Sequence, residues 1–150
     1  MRVEHLDEVL AIERASFPTP WSKYAFLGEI RDNRFAHYYV GLYNGRVAAY
    51  GGMWVILDEA HITNIAVSPE HRSLKLGKAM LITLMQKAAY LGADKITLEV
   101  RPSNYIAQSL YRSLGFVPTG VRKGYYTDTQ EDAIIMWRYL GLPQVGQERA

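Results

Sequence analysis

The chain contains no cysteine. Disulfides, thiolate nucleophiles, cysteine-based zinc sites and a thiol as covalent acyl carrier are therefore excluded, and a cytoplasmic location fits. Net charge is also small: 17 Lys and Arg against 15 Asp and Glu leave +2, with the basic residues dispersed. A nucleic-acid partner is not expected on that balance. Long apolar runs are missing too. The longest, around Ala48 to Leu57, is interrupted by Gly51 and Gly52. It falls far short of the ~20 residues that a membrane helix needs, so no membrane partner is expected. The opening MRVEHLDEVL is charged and helical in pattern and does not read as a signal peptide. No repeat or low-complexity segment stands out. His5, His37, His61 and His71 lie at no ligand spacing, so no metal is expected.

What is present is 150 residues with 49% hydrophobic content, enough for one compact domain with a sizeable core. That domain is expected over residues 1–140, with 141–150, GLPQVGQERA, as a flexible tail. Apolar residues at helical spacing predict a first helix over 4–16. FPTPW breaks it, and Ser22 is placed to cap a second helix over 23–31. HYYVGLY, Asn44-Gly45 and RVAAYGGMWVIL form the strongest hairpin signal. AHITNIAV follows as a strand, entered at Asp58-Glu59. A helix is expected over 75–91, ended by Gly92, then the strand KITLEV over 95–100. Asn104 can cap a helix closed by Gly115, and FVPTGVRKGYY and EDAIIMWRYL read as two last strands. Two helices, three strands, then α, β, α, β, β describe a mixed α+β sheet with helices on both faces. A doubly wound nucleotide fold would need more βα alternation.

One stretch asks for a functional explanation. NIAVSPEHRSLKLGKAM leaves an apolar strand and at once presents Arg72, Lys75 and Lys78 around Gly77. A helix start carries unpaired N–H groups and the positive end of the helix dipole, so residues 72–79 can seat an anion. A solvated helix start with a packing glycine is the plainer reading of the same residues. Cations there work mildly against the dipole, which tilts the balance toward an anion.

In combination, NIAV, R–LKLGKA, LEVRPSN, LYRSLGF and EDAIIM resemble the GNAT superfamily of acyl-CoA N-acyltransferases over roughly residues 4–138. Within it the chain looks like the RimI-type N-terminal alanine acetyltransferases. The resemblance implies the GNAT fold, with a central mixed sheet of about six strands. There are two departures. The family's loop usually reads Q/R-x-x-G-x-G/A, and here Lys75 replaces its first glycine. Almost no chain precedes the first helix, so the family's first strand is expected to be short or missing.

The resemblance also implies a chemistry. Acetyl-CoA is the co-substrate, lying between the strands that end at Val67 and Val100. The backbone of Ile65, Ala66 and Val67 would pair with the pantetheine arm. The N–H groups of Ser73, Leu74, Lys75, Leu76, Gly77 and Lys78 would hold the pyrophosphate. Arg72 is a further phosphate contact, and Asn104 bonds near the cofactor arm beside its capping role. Glu99 matches the general base, acting through a water. Tyr111 matches the acid that protonates the departing thiolate, and a backbone N–H near Val67 the oxyanion donor. The acceptor side is expected to include Trp21, Glu59, Tyr125 and Tyr126. For Trp21 packing under its loop is the stronger reading.

No serine shows a nucleophile-elbow pattern, so direct transfer in a ternary complex is the economical mechanism. An α-amine titrates near ~7.8 and a lysine near ~10.4, so a modest base suits the first. The implied partner is a protein N-terminus, the alanine of small-subunit ribosomal protein eighteen. Another amine (other peptide N-termini, lysine or a small amine) and a non-catalytic acyl-CoA-binding module remain open alternatives. Oligomeric state is not legible.

Overall fold

In the computed structural model, which describes residues 1–141, Asn44 and Gly45 both take positive φ, 51° and 78°. That pair is what a two-residue hairpin turn requires. It joins β1 (Ala36–Tyr43) to β2 (Arg46–Ile56). Before them come α1 (Leu6–Ser16) and α2 (Lys23–Arg31), the latter capped by Ser22 Oγ, which accepts from Ala25 N–H at 3.1 Å. After them come β3 (Glu59–Val67), α3 (Leu76–Tyr90), β4 (Lys95–Val100), α4 (Tyr105–Ser113), β5 (Val117–Tyr126) and β6 (Glu131–Tyr139). The sheet has six strands in the order β1-β2-β3-β4-β6-β5. It is mixed, since β3 and β4 are parallel while β1–β2, β4–β6 and β5–β6 are antiparallel.

Among the described residues no strand precedes α1. The Met1 amino group instead donates to the Tyr38 carbonyl of β1 at 2.7 Å. The turn into β3 falls on Leu57 and Asp58, one residue earlier than expected, because Glu59 already pairs with Lys95. The tail expected over 141–150 lies outside the described residues from 142 on. No described helix is long and apolar enough to cross a membrane.

The chain divides into two compact units: residues 1–54 with 62–84, and residues 55–61 with the chain from 85 on. In the first unit the β1–β2 register slips, so that Gly41 faces Ala49 but Leu42 faces Val47. Ala48 is left without a partner on β1, and its carbonyl accepts from Ser68 N–H at 2.8 Å. The slip also rephases the strand. Val47 and Tyr50, three apart, enter one core with Leu6, Val9, Leu10 and Ile12 of α1 and Phe26 of α2. On the opposite face a Cβ at Gly51 would lie 2.9 Å from Met80 of α3. Helices therefore cover both faces of this hairpin.

Gly52 faces the first core, where the ring of its cross-strand partner Tyr38 lies directly over it. The ring's position is fixed at its far end. The Tyr38 hydroxyl lies 2.7 Å from Thr63 Oγ1 and donates to Asn64 Oδ1 at 3.1 Å. Asn64 is buried, so it needs that partner.

In the second unit β4 pairs with β6 along its whole length, Lys95↔Tyr139 to Val100↔Ile134. Its pairing with β3 covers only Glu59↔Lys95 to His61↔Thr97. Ile96, Leu98 and Val100 alternate into a core with Tyr111, Phe116 and Met136. β5 is an edge strand with Pro118 near its start and two register slips. These are devices that blunt an open edge. At the second slip Lys123, Gly124 and Tyr125 oppose Asp132 alone. Gly124 sits there at φ 60°, its N–H donating to Asp132 Oδ1 at 2.8 Å.

A Cβ at Gly52 would fall 2.0 Å from the Tyr38 ring. Gly52→Ala is therefore expected to lower stability by about 1–3 kcal/mol, the usual range for overpacking. Urea denaturation checks this; an unchanged midpoint would mean the ring moves aside freely.

Candidate active site

The basic turn, in the first unit, does not open directly as an α-helix. Pro69–Leu74 form a 3-10 helix, Lys75 follows in the left-handed conformation (φ 58°, ψ 29°), and α3 begins at Leu76. The helix start expected over 72–79 is corrected accordingly. Arg72 lies on the 3-10 turn, Lys75 at the junction and Lys78 in the first turn of α3. Pro69 at the first position sets the φ of the 3-10 segment.

Ala79 N–H donates to the Lys75 carbonyl at 3.2 Å, so Lys75 occupies the capping position of α3. Ser, Thr, Asn or Asp usually stand there and accept from the open N–H groups. A lysine side chain has no acceptor. The N–H groups of Leu76, Gly77 and Lys78 therefore receive no cap from it. Ser73, Leu74, Lys75 and Lys78 are exposed. The arrangement suits an anion: open N–H groups, a helix N-terminus and nearby cations.

Other groups fix the turn. Arg72 folds back, its Nε donating to the Val67 carbonyl at 3.2 Å and its Nη2 to Ser16 Oγ at 3.3 Å. His71 meets the Tyr43 ring at 5.5 Å, and its buried Nδ1 has no hydrogen-bond partner among the described residues. On β3, Ala66 is buried while Ile65 and Val67 are half-buried.

The second unit holds a titratable cluster on β4. Ile96, Leu98 and Val100 point to the core, so Lys95, Thr97 and Glu99 point to the other face. His61 is the register partner of Thr97. It thereby reaches Glu99, with Nε2 at 2.7 Å from Oε1. Arg122 Nε lies 3.6 Å from the other oxygen, Oε2. The Tyr125 hydroxyl donates to the same carboxylate.

In a regular strand Arg122 and Tyr125 would face opposite ways. The slip around Gly124 turns both onto Glu99. Burial pushes the Glu99 carboxyl up. The hydrogen bond and charge of His61, the Arg122 guanidinium and the Tyr125 hydroxyl outweigh it, so the carboxyl is held below its ordinary pKa. Burial and the Glu99 charge in turn push the Tyr125 phenol up.

Arg101, just past β4, pins the β5–β6 turn. It bonds both oxygens of Asp128 at 3.2 and 3.0 Å and Thr129 Oγ1 at 2.7 Å, and lies 3.5 Å from Glu131. Its guanidinium carbon also sits 4.0 Å over the Tyr126 ring. Tyr126 meets Tyr125 edge to face at 5.0 Å.

Tyr111 is buried on α4 against Phe116, and burial pushes its phenol up to about 12. It keeps its proton at neutral pH. Asn104 caps α4, its Oδ1 accepting from Ala107 N–H at 3.1 Å. Trp21 packs its ring on Phe26 at 5.2 Å and donates its backbone N–H to Glu13 at 2.9 Å. It is placed as a packing residue. Glu59 pairs with Lys95 at 3.7 Å, at the other end of the β4 face. Glu99 lies four steps further along the strand than Lys95, roughly 13 Å. The structure thus joins Glu99 and Tyr125 and leaves Glu59 apart.

His61, Arg122 and Arg101 are the residues that sequence reasoning missed. Strand alternation placed His61 on the half-exposed face of β3, but only the register with β4 reveals its partner. Among the described residues no group of three or more His, Asp or Glu side chains is placed to hold a metal ion.

Residues 6–116 match the Acetyltransferase (GNAT) family. The chain is 45% identical over 137 residues to a Bacillus subtilis protein provisionally named as a ribosomal protein bS18-alanine N-acetyltransferase, covering 91% of each. It is 40% identical over 127 residues to the ribosomal protein bS18-alanine N-acetyltransferase of Escherichia coli, covering 83% of this chain and 84% of that one. A crystal structure of the ribosomal-protein-S18-alanine N-acetyltransferase from Escherichia coli superposes with a TM-score of 0.86. There the identity is 34%, over 97% of this chain and 94% of the other.

Positive φ at Lys75 tolerates glycine and resists β-branched residues. Lys75→Gly is expected to change stability by no more than about 0.5 kcal/mol, because relief of backbone strain offsets the added freedom of the unfolded chain. Lys75→Val is expected to cost about 1–2 kcal/mol. Equal urea midpoints for the two variants would show that residue 75 is not held left-handed in solution.

Proposed function

The chain belongs to the GNAT acetyltransferase family and is an N-acetyltransferase, and from that premise we propose that it acetylates the N-terminal alanine of ribosomal protein bS18 in the cytoplasm, using acetyl-CoA. The names of the relatives support the acceptor. The observation that carries the chemistry is the buried Glu99 side chain, whose carboxyl is held below its ordinary pKa by His61, Arg122 and Tyr125.

The turn after β3 takes the pyrophosphate on the N–H groups of residues 73–78, with Arg72 as a further contact. The backbone of Ile65, Ala66 and Val67 pairs with the pantetheine arm, as an added strand would, and Asn104 bonds near that arm. Tyr125 and Tyr126 present aromatic surface to the incoming peptide. Trp21 remains a candidate for the acceptor side with packing as the stronger reading, and Glu59 offers a more distant carboxylate.

Three events complete the transfer. The acceptor ammonium gives up a proton to the base centred on Glu99, through a water or a side chain bonded to that carboxylate. The freed amine lone pair attacks the thioester carbonyl carbon, whose oxygen is held by a backbone N–H near Val67. The C–S bond then breaks, the thiolate takes a proton from Tyr111, and the second proton lost by the acylated nitrogen passes through solvent to restore the Tyr111 phenol. With no cysteine to carry the acetyl group, transfer is direct in a ternary complex.

The test is mass spectrometry of an alanine-starting bS18 peptide incubated with acetyl-CoA. One acetyl group on the α-amine is expected, and none on a peptide blocked there. Acetylation confined to lysine would overturn the acceptor. Glu99→Gln is expected to lower kcat about 100-fold or more while calorimetry shows acetyl-CoA affinity within a few-fold. A parallel loss of affinity and turnover would remove Glu99 from the base role.

A further inference from the structure

Glu99 is poorly placed to meet the acceptor's proton directly. Its side chain is 7% exposed, while that of His61, bonded to it at 2.7 Å, is 34% exposed. The carboxylate is also fully engaged, with His61 on one oxygen, Arg122 facing the other and the Tyr125 hydroxyl donating as well. We propose that His61 takes the proton from the acceptor ammonium, with Glu99 behind it as the orienting carboxylate. This deepens the acetyl-transfer reading above and rests on it.

The tautomer follows from the partner. A carboxylate held below its ordinary pKa is ionised at neutral pH and can only accept. Nε2 therefore carries the hydrogen of the neutral ring and donates it to Glu99, and the lone pair lies on Nδ1. Nδ1 takes a proton from the acceptor R–NH3+ and the ring becomes imidazolium, stabilised by the Glu99 charge. The amine lone pair so released forms the new C–N bond as the C–S bond breaks, and the nitrogen's second proton leaves through solvent, replacing the one that Tyr111 gives to the thiolate. Water removes the proton from the ring after product leaves, restoring the neutral form. No oxidant, metal or further reactant is needed.

Glu99 of β4 is bonded to His61, and Arg122 and Tyr125 of β5 face the pair directly. Glu59 and Lys95, themselves paired, lie at the other end of the same face.

The test is His61→Gln, whose amide N–H can still donate to Glu99 but whose side chain cannot accept a proton in the required range. Turnover of the alanine peptide is expected to fall about 100-fold, with acetyl-CoA affinity by calorimetry within twofold. The decline of kcat/KM toward acid is expected to differ between wild type and variant. Titration of the acceptor amine is common to both and drops out of the comparison. His61→Ala provides a second route: added imidazole is expected to raise its kcat and to leave wild type unchanged. Turnover of His61→Gln within threefold of wild type, an identical pH profile, or no response to imidazole would each overturn the assignment. A wild type that acetylates no N-terminal peptide would instead overturn the acetyl-transfer reading beneath it.

Discussion

A carboxyl group withdrawn from water obliges the fold to surround it with donors, and two glutamates of this chain organise what lies around them. Glu13 is only 2% exposed. It accepts from the Tyr50 hydroxyl and from the Trp21 backbone N–H. One carboxyl thereby ties α1 to β2 and to the Pro-rich turn before α2, and the aromatic core of Phe26, Tyr38 and Tyr50 assembles beside it. Glu99 does the same for the second unit, drawing His61 from β3 and Arg122 and Tyr125 from β5. An unmet buried polar group costs roughly 2–7 kcal/mol, whereas a hydrogen bond to a charged group contributes about 1.5–3. The donors are thus a condition of folding as well as of chemistry, and the slip in β5 is how two of them reach one carboxylate.

The same stabilisation limits Glu99 as a base. Donors that keep it ionised also lower its appetite for a proton. On reference values, transfer from an α-ammonium to a carboxylate is uphill by about 3.5 pH units, or ~4.8 kcal/mol. To an imidazole it is uphill by about 1.3 units, or ~1.8 kcal/mol. A half-exposed imidazole backed by an ionised carboxylate divides the labour: one group meets the proton and the other steadies the charge that forms. Tyr111 shows the complementary case. Burial keeps its phenol protonated, which provides a proton to donate and makes that proton costlier to release.

Local signals in the sequence were read correctly where the deciding contact is local. Asn44-Gly45 makes the hairpin turn, Ser22 and Asn104 cap their helices three residues on, and Gly92 follows α3 at φ 99°. Each depends on a few consecutive residues. What escaped depends on register. His61 and Glu99 are 38 residues apart, and nothing local joins them. Alternation alone would set Arg122 and Tyr125 on opposite faces; the slip around Gly124 reverses that. Glu59 is a carboxylate on the same strand pair but at the other end from Glu99, a distinction carried by the pairing Glu59↔Lys95. Glu99 and Tyr111 are candidates through family resemblance alone, which says nothing of the side chains that surround them.

Lys75 joins local strain to the proposed pyrophosphate seat. A non-glycine residue at φ 58° carries a backbone cost of about 1 kcal/mol. The same position is the helix cap, where lysine forgoes the roughly 1 kcal/mol that an accepting side chain would contribute. Both penalties fall on one residue at the start of α3, and neither is offset by a contact of its side chain with the open N–H groups, since an ammonium can only donate. An anion seated on those N–H groups supplies the missing acceptor, and a nearby ammonium then attracts it instead of opposing the helix dipole. The conformation that glycine adopts most easily is retained with a charge added, so the turn keeps its backbone geometry and gains a cation at the same point.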